Sequence, residues 1–113
     1  MRTLSLTLVL GPLAAATRPG ADLVLMVKPQ FEVGRERLPR TGVVSDPQER
    51  RRAVASVLDA AASAGLVPAG IARSPLPGQD GNVEFFLPRV RQPAGAAAAP
   101  GDVPGLLGAV DYS

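Results

Sequence analysis

The sequence contains no cysteine and no histidine, and Lys28 is the only lysine among the twelve basic residues of its 113 positions. Without cysteine there is no disulfide framework and no thiolate metal site. Without histidine, the commonest metal ligand and the commonest general base are both missing. These absences exclude zinc enzymes, Ser-His-Asp triads and Cys-His dyads within this chain.

Aromatic residues are also scarce, at 4% of the chain, whereas glycine and proline occur twelve times each. The length allows one modest domain. So much glycine and proline predicts a segment without regular structure. Residues 92–113 have no hydrophobic period and consist mostly of proline, alanine and glycine, so we predict a disordered tail there.

The first twenty residues combine an early arginine, an apolar run and three consecutive alanines, as a secretory signal peptide does. The alternative is a helix from about Ser5 to Thr17, with Ser5 as its N-cap. Gly11 and Pro12 should kink this helix or delay its start. The apolar run is too short and too interrupted to cross a membrane.

The stretch "DLVLMV" contains five consecutive apolar residues, Leu23 to Val27, and this run is apolar on both faces. This pattern is typical of a central strand in a helix-covered parallel sheet. The residue before a proline is pushed out of helical geometry, so Lys28-Pro29 marks the end of the strand.

The clearest predicted element is a helix that begins after Asp46. Asp46 suits the N-cap, Pro47 the first helical position, and Glu49 completes a capping box. Gly65 supplies a left-handed C-cap. The run Arg50-Arg51-Arg52 in its first turns is interpreted as a solvated face, with phosphate contact as the alternative.

Two short strands, "VPAGIARSP" and "NVEFFLPRV", follow that helix and are separated by a turn-rich loop. The order of elements predicts an α/β fold whose sheet ends in a β-hairpin. It also leaves one sheet edge open, and an open apolar edge favours self-association.

Basic residues are concentrated between Lys28 and Arg52, where seven stand against four acidic ones. This weakly indicates a surface that faces a polyanion. Within it, Arg35, Arg37 and Arg40 lie on a polar loop and are candidates for contacting RNA phosphates, the alternative being a solvated basic loop.

Four segments, "SLTLVL", "ADLVLMVKPQFEVGRE", "GVVSDP" and "SPLPGQDGNVEFFL", occur in the order and at about the spacing found in the TlyA (hemolysin A-type) family. Proteins of that family resemble FtsJ-type ribosomal RNA 2′-O-methyltransferases and depend on S-adenosylmethionine. Their usual architecture is an S4-type RNA-binding domain followed by a Rossmann-like methyltransferase domain.

The resemblance implies that residues 4–91 are the C-terminal part of such a methyltransferase domain. The S4 domain, the glycine-rich cofactor loop and the acidic residue for the ribose have no counterpart here, so no cofactor-binding residue is expected in this chain. The resemblance implies ribosomal RNA as partner, a cytoplasmic location and no membrane association, and it makes export the weaker alternative.

The family's catalytic set is a Lys-Asp-Lys-Glu tetrad. Its second lysine lies in the KPQFE motif, which corresponds to Lys28, and its glutamate in the GNVEF motif, which corresponds to Glu84. The first lysine lies upstream. The aspartate belongs to a segment of which only Ser5 and Leu6 remain. The resemblance therefore implies half of a tetrad.

The chemistry of 2′-O-methylation explains why a lysine would stand at position 28. The base must be neutral when it takes the proton of the ribose hydroxyl, and a desolvated lysine can become neutral whereas arginine cannot. The carboxyl end of a buried strand is also where open α/β sheets bind ligands. Glu84 is then expected to orient the ammonium group.

Simpler roles remain open at both positions: Lys28 ends a strand, and Glu84 pairs with an arginine. Two other functions also remain open. One is a non-catalytic RNA-binding or interaction protein derived from the methyltransferase domain, and the other is a small exported protein.

Overall fold

A computed structural model describes residues 5–34, 36–78, 81–93 and 103–113. Within these ranges lie four α-helices and four strands, in the order α1 (Leu6–Ala16), β1 (Asp22–Val27), α2 (Pro29–Glu32), α3 (Pro47–Ser63), β2 (Val67–Pro68), β3 (Ala72–Arg73), β4 (Phe85–Arg91) and α4 (Val103–Gly108). The predicted α/β class is confirmed.

Helix α1 begins where its capping signal predicts. The Ser5 side chain accepts a hydrogen bond from the Thr7 N–H, which satisfies one of the free donors of the first turn. Gly11 and Pro12 both lie inside the helix, so the prediction that they delay its start is wrong.

Helix α3 also follows its local signals. The Asp46 side chain accepts from the Gln48 N–H, and Pro47 occupies the first position. At the other end Gly65 has a φ of 80°, and the N–H of Leu66 bonds to the carbonyl of Ala61 at 2.9 Å. This is a Schellman ending, which requires the left-handed glycine. Glu49 Oε1 pairs with Arg37 and Arg52, and Oε2 accepts no hydrogen bond from the described residues, so the predicted capping box is not formed.

The sheet is built around β4, which pairs antiparallel with β1 on one side and with β2 and β3 on the other. The predicted terminal hairpin is present as β3 and β4. The predicted parallel pairing of β1 is wrong for the described residues. Strands β1 and β2 run in the same direction, but β4 lies between them, so every described pairing is antiparallel.

Only one face of β1 is covered. Leu25 and Val27 are buried, whereas Val24 is 73% and Met26 48% exposed. Burial of β1 on both faces, which its apolar run predicts, is therefore not found. The described residues supply a helical layer for one face of the sheet and none for the other.

The core lies between that covered face and helices α1 and α3. Each fully buried Leu, Val or Phe side chain contributes about 1.5–3 kcal/mol through removal of apolar surface from water. The buried core consists of Leu10, Ala14, Leu25, Val27, Val54, Val57, Leu58, Ala61, Leu66, Phe85, Leu87, Val90 and Tyr112.

The predicted disordered tail is corrected for residues 103–113; its residues 94–102 lie outside the described part of the chain. Val103–Gly108 form α4, and Tyr112 is 7% exposed with its ring 5.3 Å from that of Phe85. The Tyr112 hydroxyl donates to the carbonyl of Leu107 at 2.9 Å. A few apolar side chains therefore anchor this segment despite its proline- and glycine-rich composition.

The described residues contain no helix long and apolar enough to cross a membrane.

Candidate functional site

Lys28 stands between a strand and a helix. It follows β1 directly and is the N-cap of α2, with extended backbone angles of φ −110° and ψ 102°. Pro29 enforces that change of direction, because the residue before a proline avoids helical geometry while proline itself suits a first helical turn. The side chain is 38% exposed, and its Nζ lies 5.9 Å from the centre of the Phe31 ring. Its ammonium group is therefore accessible to solvent and also lies near neighbouring side chains.

Glu84 is a buried carboxylate that faces Lys28. It lies just before β4 and is 6% exposed. Its Oε2 is 4.0 Å from Lys28 Nζ and accepts a hydrogen bond of 3.2 Å from Gln30 Nε2. A buried carboxylate needs partners of this kind to offset its desolvation. The two side chains that the family motifs single out are thus brought together.

The loop before Glu84 leaves room for its carboxyl group only because residue 78 is glycine. A Cβ on Gly78 would overlap the Glu84 carboxyl group, with Oε1 only 2.6 Å away. The loop is closed by a hydrogen bond from the Gly78 N–H to the Asn82 carbonyl at 2.8 Å. Backbone and carboxylate therefore approach each other as only glycine permits.

Asn82 links the site to the loop before α3. It is 1% exposed; its Oδ1 accepts from the Val44 N–H and its Nδ2 donates to the Gly42 carbonyl, both at 2.9 Å. The side chain thus satisfies backbone groups 38 and 40 residues away.

Glu32 connects α2 to the start of α1. Its Oε2 accepts from the Leu6 N–H at 2.8 Å, and its Oε1 from the Ser5 hydroxyl. A carboxylate at this position satisfies free donors and complements the positive end of the helix dipole. These bonds connect the N-terminus of α1 to α2, the short helix that follows Lys28.

The structure describes two of the three loop arginines. Arg37 pairs with Glu49 at 3.2 Å, Arg40 is exposed, and Arg35 lies outside the described residues. The carboxylate of Glu49 partly offsets the positive charge available to an anion at Arg37.

The predicted solvated face of Arg50, Arg51 and Arg52 is wrong for the first of them. Arg50 is 8% exposed and donates to the carbonyls of Val44 and Tyr112, both at 3.0 Å. Burial lowers the pKa of this guanidinium below its ordinary value; Arg73 lowers it further, and Asp46 opposes the shift. Arg50 thus has a structural role.

A surface cavity of about 310 Å³ lies next to Val83, the residue before Glu84. Neither Lys28 nor Glu84 lines it. Its lining residues are Arg73, Ser74, Pro75, Leu76, Pro77 and Val83. No group of three or more acidic side chains able to hold a metal ion occurs in the described ranges.

Comparison with known proteins gives two closely similar curated sequences. The chain is 48% identical over 84 residues to the 16S/23S rRNA (cytidine-2′-O)-methyltransferase TlyA of Mycobacterium tuberculosis, covering 74% of this chain and 31% of that protein. It is 39% identical over 84 residues to YqxC of Bacillus subtilis, named as a candidate rRNA methyltransferase, covering 74% and 30%. No protein-family model matches.

Two solved structures share the fold of this chain over most of its length. A candidate hemolysin from Lactococcus lactis superposes with a TM-score of 0.78 at 31% identity, over 94% of this chain and 50% of that one. One from Streptococcus thermophilus gives 0.77 at 28% identity, over 94% and 38%.

The chain belongs to the TlyA (hemolysin A-type) family. It spans about a third of the length of the curated relatives it matches. The sequence motifs that predict this membership also contain the residues that meet at the site, since Lys28 and Gln30 come from the KPQFE segment and Glu84 from GNVEF.

The sequence predicted Lys28 and Glu84 as site residues but did not predict the contacts of Gln30, Glu32 and Gly78. Their partners lie 54 residues away for Gln30 and 26 or 27 residues away for Glu32. The only signal in the sequence was that all three lie inside TlyA-family motifs.

Proposed function

We propose that this TlyA-family chain carries two active-site side chains of an S-adenosylmethionine-dependent ribosomal RNA 2′-O-methyltransferase, and that it is inactive alone. The observation that supports this most strongly is the approach of Lys28 Nζ to the buried Glu84 Oε2, at 4.0 Å, where β1 ends. The relative from M. tuberculosis named as such a methyltransferase supports the substrate class.

Lys28 is the proposed general base. In its neutral form Nζ takes the proton of a ribose 2′-hydroxyl, which leaves that oxygen as the stronger nucleophile and Lys28 as an ammonium group. Glu84 then orients the resulting ammonium group and balances its charge. An arginine cannot perform this step, because its guanidinium does not lose a proton in proteins.

The fold supports this placement. Ligands bind at the carboxyl ends of strands in open α/β sheets, and Lys28 is the first residue after β1. We infer that β1, β2 and β4 belong to the end of a larger Rossmann-like sheet, in which further strands and helices would cover the exposed side of β1.

The described residues do not fit S-adenosylmethionine by themselves. The cavity of about 310 Å³ is lined by no carboxylate that could bind ribose hydroxyls, and it includes neither Lys28 nor Glu84. The group that supplies the methyl would therefore be bound by parts of the enzyme outside this chain. In the cell we expect the assembled enzyme to meet ribosomal RNA in the cytoplasm.

The loop arginines are proposed as contacts to RNA phosphates. Arg40 is exposed, Arg37 is half exposed while paired with Glu49, and Arg35 lies outside the described residues. Phosphate contacts would make RNA binding fall with rising salt, and replacing the three by glutamine would reduce the slope of that dependence. If such binding needs no cofactor, the chain would instead be a non-catalytic RNA-binding protein.

Calorimetry tests the main proposal. S-adenosylmethionine is titrated into this chain alone and into a form extended upstream through the reading frame. Binding by the extended form only is the expected result. If neither form binds, the proposed catalytic function is wrong and the arginine loop becomes the basis for the RNA-binding alternative.

A further inference from the structure

We propose that Gln30 is a positioning residue that sets the Glu84 carboxylate against Lys28. This inference rests on the function proposed above and adds a residue to which no role has been assigned. Two distances from Glu84 Oε2 support it, 3.2 Å to Gln30 Nε2 and 4.0 Å to Lys28 Nζ. Only the first is a hydrogen bond, since bonds from nitrogen to oxygen are about 2.7–3.2 Å long.

The orientation of the Gln30 amide is fixed by chemistry. An ionised carboxylate only accepts hydrogen bonds, so the NH₂ group of Gln30 must face Glu84 and its Oε1 must face away. That oxygen is buried and accepts no hydrogen bond from any residue in the described part of the chain. A buried acceptor left unsatisfied is unfavourable for stability.

The Gln30 amide makes one hydrogen bond and leaves one buried oxygen without a partner among the described residues. This argues against a purely structural role. Its side chain is 7% exposed, and an apolar side chain of the same length would fill the space without an unsatisfied oxygen. What an apolar side chain could not do is donate to Glu84. The single use of the amide in the described residues is that bond.

Helix α2 holds Lys28 and Gln30 at a fixed spacing. The bond from Gln30 to Glu84 therefore also sets the distance between Lys28 and the Glu84 carboxylate. Lys28 is its N-cap, Pro29 its rigid first residue and Gln30 its second. The Glu84 carboxyl group also lies against the backbone of Gly78, where no Cβ would fit. With the carboxylate bonded to Gln30 and packed on Gly78, the distance of 4.0 Å to Lys28 is set by α2 and does not depend on a direct bond between the two charged groups.

The test compares Gln30→Met with Gln92→Met. Methionine keeps the length and packing of glutamine but removes the donor. Gln92 is the matched control, because its Nε2 donates a hydrogen bond of 2.8 Å to the Ala14 carbonyl, far from Lys28 in the sequence and outside its contacts.

Two measurements read the outcome. In this chain alone, NMR follows the side-chain amide protons of Gln30 during acidification. We expect their resonances to shift as the neighbouring carboxylate takes up a proton, and to stop shifting in Glu84→Gln. In the upstream-extended form, we expect Gln30→Met to lower kcat for methyl transfer by up to about 100-fold with KM unchanged, because a misplaced catalytic group costs about that much. Gln92→Met should leave kcat unchanged.

Either of two results would overturn the inference: amide resonances of Gln30 that do not follow the carboxylate, or a Gln30→Met enzyme that keeps full kcat. An extended form that is inactive as wild type would count against the proposed function only. In that case the NMR titration alone decides about Gln30.

Discussion

At the scale of single residues, position 28 offers the most direct chemical test, because lysine and arginine share a charge but not a chemistry. Lys28→Arg keeps a cation at the end of β1 and removes a side chain that can become neutral. In the upstream-extended form we expect kcat for methyl transfer to fall by about 100- to 10,000-fold, the usual contribution of a general base. Single-turnover methylation of ribosomal RNA measures it.

The control for that change is Arg89→Lys, which alters an exposed basic residue of β4 that pairs with Asp22 at 3.2 Å. It exchanges the same two side chains away from the site and should leave kcat unchanged. A Lys28→Arg enzyme with normal kcat would show that another group takes the proton.

Gly78 gives a second prediction at this scale. Because a Cβ there would overlap the Glu84 carboxyl group, Gly78→Ala must push the carboxylate away from Lys28 or move the loop. We expect a loss of about 1–3 kcal/mol in the free energy of unfolding, as for other overpacked sites. Urea denaturation of this chain measures it.

Gly70→Ala is the matched control for Gly78→Ala. Its Cβ would meet only Pro88 side-chain carbons, at 3.6 and 3.9 Å, which is ordinary contact. We expect its effect to stay within about 0.5 kcal/mol. Equal effects of the two substitutions would mean that loss of glycine flexibility, rather than contact with Glu84, explains the result.

At the scale of whole elements, the sequence predicted what local signals determine. The caps at Ser5, Asp46 and Gly65 act within a few residues, and α1 and α3 begin and end accordingly. The apolar run of residues 23–27 correctly indicated a strand. It could not reveal that β4 would be its neighbour, because strand pairing depends on residues about sixty positions away.

The same dependence on residues distant in the sequence explains the predictions that were wrong. Arg50 is buried because the carbonyls of Val44 and Tyr112 receive its guanidinium, and one of these lies 62 residues away. The composition of residues 92–113 predicted disorder, yet the contact between Tyr112 and Phe85 holds residues 103–113 to the core. At the site, the motifs identified Lys28 and Glu84, whereas the bond from Gln30 required the folded chain.

Tyr112, in the segment after α4, packs against the core, and we therefore expect folding stability to decrease at alkaline pH. Burial raises the pKa of Tyr112 above its ordinary value of 10.0, and Arg51 lowers it by less. A raised pKa means that folding favours the neutral phenol. This contribution to stability is complete below about pH 10, the pKa in the unfolded chain, and is lost as the pH rises through the folded value.

Tyr112 is the only tyrosine, so the absorbance of the phenolate reports on it alone. We expect its titration midpoint to lie above that of a free tyrosine amide. We also expect urea stability to fall more steeply from pH 9 to 11 in the wild type than in Tyr112→Phe. An unshifted midpoint in the folded chain would contradict the docked position of the ring.

At the scale of the whole molecule, the described part of the sheet has one covered face and one exposed face. The described residues put helices on one side of the sheet, and β1 pairs only with β4 among them. Its outer residues, Val24 and Met26, are 73% and 48% exposed. An unpaired strand edge beside exposed apolar side chains is a surface that other chains can join.

We therefore expect this chain to self-associate when expressed alone, in a concentration-dependent manner that sedimentation velocity can measure. The double variant Val24→Thr/Met26→Lys keeps a strand-forming residue and adds a charge to the edge, so it should shift the distribution towards monomer. Leu76→Lys adds a charge at another exposed apolar residue, 73% exposed, in the loop after β3. β3 pairs with the opposite edge of β4, so this control should leave the association unchanged. A wild-type chain that sediments as a monomer at every concentration would mean that the face left open by β1 needs no cover, and would weaken the argument that the rest of a methyltransferase packs there.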